Sequence, residues 1–147
     1  MTKQNENIKF HDNIAIADTA FTIYGGTIEE LFRNAGKAFT TSMADITTIL
    51  ACDERIVKIE NKKLDLLLFD FLNELLFLKD TEGLLFSQFD IKIKKDNNFN
   101  YLEASLKGEK ADPDRHKITT DIKAVTLHLF KLYKNKNGYT ARVVLDI

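Results

Sequence analysis

Residues 64–89 read LDLLLFDFLNELLFLKDTEGLLFSQF. Leu64, Leu67, Leu68, Phe71, Leu72, Leu75 and Leu76 recur at spacings of three and four, the period of a helix with a broad apolar face. Asp70, Asn73 and Glu74 take the opposite side. Thr81-Glu82-Gly83 closes the helix, because glycine adopts the left-handed conformation that a helix end favours. The period then changes to two. From Leu84 to Lys95, Phe89, Ile91 and Ile93 oppose Asp90, Lys92 and Lys94, the pattern of a half-buried strand. A long helix that passes directly into an alternating strand places both element types in one folding unit.

The same logic extends outward. Asp96-Asn97-Asn98 is a turn signal, and Tyr101 to Lys107 returns as a partner strand. Upstream, Arg55 to Glu60 alternates as a short strand. Thr19 to Tyr24 is β-branched and aromatic, and also reads as a strand. Gly25-Gly26 breaks it. Thr27 and Glu30 have capping-box spacing, so a helix follows, with Ile28, Leu31, Phe32, Ala35, Ala38 and Phe39 on one face. Gly36 either weakens that helix or permits close packing. Downstream, the polar loop GEKADPDRH leads to a long strand, Thr119 to Tyr133. A hairpin turn at Asn135 to Gly138 precedes the last strand, Tyr139 to Ile147. Strands joined by tight turns are antiparallel. The expected fold class is α+β, with two helices and about six mostly antiparallel strands in a single domain, residues 1–147.

Composition narrows the functional classes. The chain has 147 residues, 44% hydrophobic, with 11 Phe and no Trp, enough apolar material for a sizeable core. The net charge is −1, from 21 basic and 22 acidic residues. Proteins that hold nucleic acid by its phosphates usually carry a basic surplus. Any contact with RNA is therefore expected to be local or, more simply, indirect and made through a partner. Lys92, Lys94 and Lys95 with Lys131, Lys134 and Lys136 suggest a basic edge, but edge charge more often blocks aggregation. Aromatic stacking residues are not read as interleaved with them, so RNA contact there is the weaker reading. One cysteine, Cys52, forms no internal disulfide and fits a reducing cytoplasm. The N-terminus has no signal-peptide core. The stretch from Leu64 to Leu78 is too short and too charged to span a membrane. A soluble cytoplasmic protein is expected.

Catalytic motifs are absent. No Walker loop, G-x-G-x-x-G or H-E-x-x-H occurs, and nothing ties His11, His116 or His128 to a nucleophile. Cys-His zinc spacings are missing as well. Oxygen donors are available: Asp18, Asp146 and the α-carboxylate of Ile147. Two carboxylates within two residues of each other concentrate negative charge, and adding Asp18 needs a cation to offset the repulsion. Such donors suit calcium, magnesium or manganese. The competing reading is solvated end charges. A small metal-dependent hydrolase using the same aspartates also stays open.

Four further residues are candidates. Arg115 can grip a phosphate or carboxylate with two donors. His116 carries an imidazole that can ligate a metal or relay a proton. Lys123 lies on the alternating strand. Glu74 lies on the polar side of the long helix. For each, the alternative is an ordinary surface side chain or ion pair.

The order GE, then DP-RH, then a strand with KAVT and His128 resembles the archease family. The block at 64–89, the run ADTAFTIYGGTIEELFRNAGKAF at 17–39 and the ending RVVLDI agree, so the resemblance covers nearly the whole chain. It implies a β-rich sandwich. It implies an accessory protein of the tRNA-splicing RNA ligase that is no enzyme itself and promotes guanylylation and repeated turnover. It also implies that Asp18, Asp146 and the Ile147 carboxylate bind a divalent metal, calcium first, with manganese and magnesium as alternatives. A chaperone-like role beside an RNA methyltransferase is the other role associated with the family. Through DP-RH, the resemblance tilts Arg115 and His116 toward function. One position departs: archeases commonly have histidine three residues before the early aspartate, where this chain has Ala15.

Overall fold

The computed structural model describes residues 7–11 and 18–147. Seven strands and two long helices follow in the order β1 (Ile8–His11), β2 (Asp18–Gly25), α1 (Ile28–Thr41), β3 (Asp53–Asn61), α2 (Leu64–Glu82), β4 (Leu84–Asp96), β5 (Phe99–Lys110), β6 (Ala124–Asn135) and β7 (Gly138–Asp146). They form two antiparallel sheets, β1-β2-β7-β6 and β3-β5-β4. Each helix touches both sheets: α1 packs on β2, β7 and β4, and α2 on β6, β3, β4 and β5. The helices therefore line the space between the sheets. This explains why Asn34, Gly36 and Thr40 are buried along with the apolar face of Leu31, Phe32, Ala35, Ala38 and Phe39, so that more than one side of α1 is covered.

Local chemistry accounts for the boundaries. The Thr27 side chain accepts the Glu30 amide at 3.1 Å. The Glu30 carboxylate reaches back one residue beyond the usual cap, accepting the Gly26 amide at 2.9 Å. Gly83 ends α2 with φ +68°. Asn97 and Asn98 have φ of 49° and 68°, the twist that a two-residue hairpin needs. Gly36 is a packing residue: a Cβ there would sit 2.6 Å from the Phe89 ring. One face of α1 thus lies directly against β4.

Three boundaries differ from the sequence reading. A strand exists at Ile8–His11, where the sequence reading placed no element. It pairs with β2 and gives seven strands rather than about six. β5 runs on through Glu109 and Lys110, so the polar loop is shorter than its composition suggests. Thr119 to Lys123 is irregular, and β6 starts at Ala124. A register break between Thr126 and Lys131 also interrupts the β6–β7 ladder.

Candidate functional site

Two groups of polar residues stand out. The first lies at one end of the four-stranded sheet. Asp18 opens β2 and Asp146 closes β7, and the two are direct register partners. Residues directly opposite on neighbouring strands share a face, with Cβ atoms about 5 Å apart. On its other side Asp146 is paired with Ala124 of β6, and its carbonyl accepts the Lys123 amide at 2.7 Å. Asp18, Asp146 and Ile147 are each half-buried, and Lys123 is exposed. Among the described residues no Lys or Arg forms an ion pair with either aspartate. Also among them, no three His, Cys, Asp or Glu side chains cluster as metal ligands. A cation here would have two side-chain carboxylates and needs further oxygen donors. The Ile147 carboxylate is adjacent in the chain, and the oxygen-only character of the set fits a hard cation.

The second group is a knot around Glu109, at the end of β5. The Arg115 guanidinium donates twice to Glu109, at 2.8 Å to each carboxylate oxygen. The Leu50 amide donates to Oε2 at 2.7 Å. His116 is fully buried. Its Nδ1 accepts the Asp112 amide at 2.9 Å, which leaves the ring proton on Nε2, 3.0 Å from Glu109 Oε2. The paired Arg115 above all, then the Leu50 amide and His116, hold the Glu109 carboxyl far below the usual carboxylate range. The His116 carbonyl accepts the Asp45 amide, and the Met43 carbonyl accepts the Thr119 amide. The loop bearing DP-RH is therefore clasped to the segment 43–50.

The matching family model is that of the Archease protein family (MTH1598/TM1083), over residues 10–147. The chain belongs to the archease family. The archease of Methanothermobacter thermautotrophicus is 37% identical over 89% of this chain and 93% of its own. That of Pyrococcus abyssi is 36% identical over the same shares. That of Methanosarcina barkeri is 33% identical over the full length of both. The solution structure of Methanobacterium thermoautotrophicum protein 1598 superposes with a TM-score of 0.85, at 36% identity over 97% of this chain and 99% of that one. A Thermotoga maritima archease, described as a possible chaperone, shares the fold with a TM-score of 0.59 at 23% identity, over 93% of this chain and 98% of that one.

Within this archease fold the candidate residues separate. Asp18, Asp146, Ile147 and Lys123 meet at the sheet end. Arg115 and His116 belong to the Glu109 knot, and among the described residues no hydrogen bond or ion pair joins the two groups. Glu74 is half-buried on α2 and is bonded to neither. Ala15 lies outside the described residues. Glu109 is the residue that holds the knot together, yet in sequence it is one acid among several in a charged run. Its partners Arg115 and His116 carried the signal, and Glu109 itself entered only as part of the GE that opens the family motif. No helix among the described residues is long and apolar enough to cross a membrane.

Proposed function

We propose that this archease is a non-catalytic activator of the tRNA-splicing RNA ligase, promoting its guanylylation and repeated turnover. In this reading a divalent cation, calcium first and manganese or magnesium otherwise, is held by Asp18, Asp146 and the Ile147 carboxylate. The supporting observation is the direct pairing of Asp18 with Asp146. Two like charges fixed side by side are stabilised by a cation between them. When bound, the cation supplies charge that orders the strand end. Asp18 and Asp146 position it, and Lys123 and Glu74 flank the surface offered to the ligase. Arg115 is partly exposed, and with His116 it braces the neighbouring loop. The setting proposed is the cytoplasm.

A chaperone-like role beside an RNA methyltransferase is the second reading. It is favoured by Leu127 and Leu129, 57% and 53% exposed in the β6 register break. A guanylylation assay separates the readings: ligase, GTP and manganese are combined with and without this protein. A faster approach to the guanylylated ligase supports the activator. An unchanged rate removes that reading, and GTP hydrolysis by the isolated chain would instead make the aspartates catalytic.

A further inference from the structure

The outward face of the four-stranded sheet shows a pattern that neither the metal end nor the Glu109 knot explains. Three of its rows carry the pattern, and the row of Ala20 and Val144, both buried, lies between the first and the second. Asp18, Asp146 and Ala124 form the end row. Two rows further along, Lys9, Thr22, Arg142 and Lys131 lie side by side. Beyond them stand Tyr24, Thr140 and Tyr133. Asp18 and Tyr24 are six residues apart on one strand, so the face runs about 20 Å from acidic end to tyrosines.

Arg142 is the anomaly. It is half-buried, and its Nε is hidden from solvent with no hydrogen-bond partner among the described residues. Among the described residues no carboxylate pairs with Arg142, Lys131 or Lys9. A partly desolvated guanidinium is costly without an anion. The surrounding charge is one-sided. Residues 122–145 contain Lys123, Lys131, Lys134, Lys136 and Arg142 and no acid, which leaves 16 of the 21 basic residues against all 22 acids elsewhere. Tyr24 and Tyr133 are 39% and 44% exposed, and the Lys131 ammonium lies 5.2 Å from the Tyr133 ring centroid.

We infer that this face binds single-stranded RNA. Arg142, next to Lys131 and with Lys9 beyond Thr22 in the same row, takes the phosphates, and Tyr133 and Tyr24 offer rings on which bases stack. A four-stranded antiparallel sheet with exposed aromatics and a basic row is a physical solution to holding an unpaired strand. The chain's net charge hides the site, because the acids lie outside the hairpin. Sequence also joined lysines that the fold separates: Lys92, Lys94 and Lys95 belong to β4, in the other sheet. The interleaved aromatic is Tyr133, between Lys131 and Lys134. The contact proposed is direct and local, and it holds whether or not the aspartates bind metal.

The test is fluorescence anisotropy of a labelled ten-nucleotide single-stranded RNA titrated with the full chain at several salt concentrations. Wild-type affinity should fall with salt by roughly 0.7 log unit per log unit for each phosphate contact. Arg142→Gln should flatten that slope by about one contact. Tyr133→Ala should weaken binding roughly tenfold, as loss of one stacked base does. Lys94→Gln, on the other sheet, should change nothing. Melting curves confirm that each variant is folded. No binding by wild type, or equal binding by folded Arg142→Gln and Tyr133→Ala proteins, overturns the proposal. If RNA fails to bind while Arg142→Gln weakens capture of the ligase, the anion is a protein carboxylate and the RNA site is refuted.

Discussion

Asp18 and Asp146 are direct partners across the β2–β7 ladder, although 128 positions separate them in the chain. The fold thus brings an early and a late carboxylate onto one face. If a cation bridges them, calcium or manganese raises the melting temperature by mass action, since the unfolded chain lacks the paired site. Asp18→Asn should remove that increment and leave the metal-free melting temperature near that of wild type. An equal metal response in the variant rules out Asp18 as a ligand.

The terminal carboxylate can be tested without altering a side chain. A C-terminal extension converts the Ile147 carboxylate into an amide and crowds the strand end. The extended protein should respond weakly to metal, and proteolytic removal of the extension should restore the response. Identical behaviour before and after removal excludes that donor.

Acid should loosen the Glu109 knot. The folded-state carboxyl lies far below its ordinary value of 4.5. Its contribution is therefore fully present above that value and is lost progressively as pH falls below it. Wild type and Glu109→Gln should differ most in melting temperature near neutrality and converge toward low pH. A constant difference across that window would show that ionisation of Glu109 does not matter.

Close packing at Gly36 gives a paired test. Alanine is the better helix former by about 1 kcal/mol, yet its Cβ would strike the Phe89 ring. Overpacking of this kind costs roughly 1–3 kcal/mol. Gly36→Ala should lower stability in urea, and adding Phe89→Leu should recover part of the loss. A stabilised single variant would mean that α1 and β4 have room to spare.

Much of this was legible in advance for a physical reason. The elements between Thr19 and Lys107 are marked by period, cap and turn chemistry, all local signals. Ile8–His11 was not, because a four-residue edge strand preceded by Asn and Glu carries too little pattern. The extension of β5 through Glu109 was hidden because a strand end lined by an ion pair looks like a polar loop. The Asp18–Asp146 pairing came from family resemblance, since sequence spacing does not report which strands neighbour. The Arg142 row stayed hidden because it depends on register across four strands.

In the proposed role, the acidic sheet end lets this archease activate a ligase while making no bonds itself. The most direct measurement is multiple-turnover RNA ligation, with ligase, GTP and manganese, comparing no addition, wild type and Asp146→Ala. Melting curves must first show that the variant is folded, in contrast to a core change such as Leu72→Ala, which should cost roughly 2–5 kcal/mol. The account predicts many turnovers with wild type and a return to the unassisted level with Asp146→Ala. Full activation by a folded Asp146→Ala protein would contradict it.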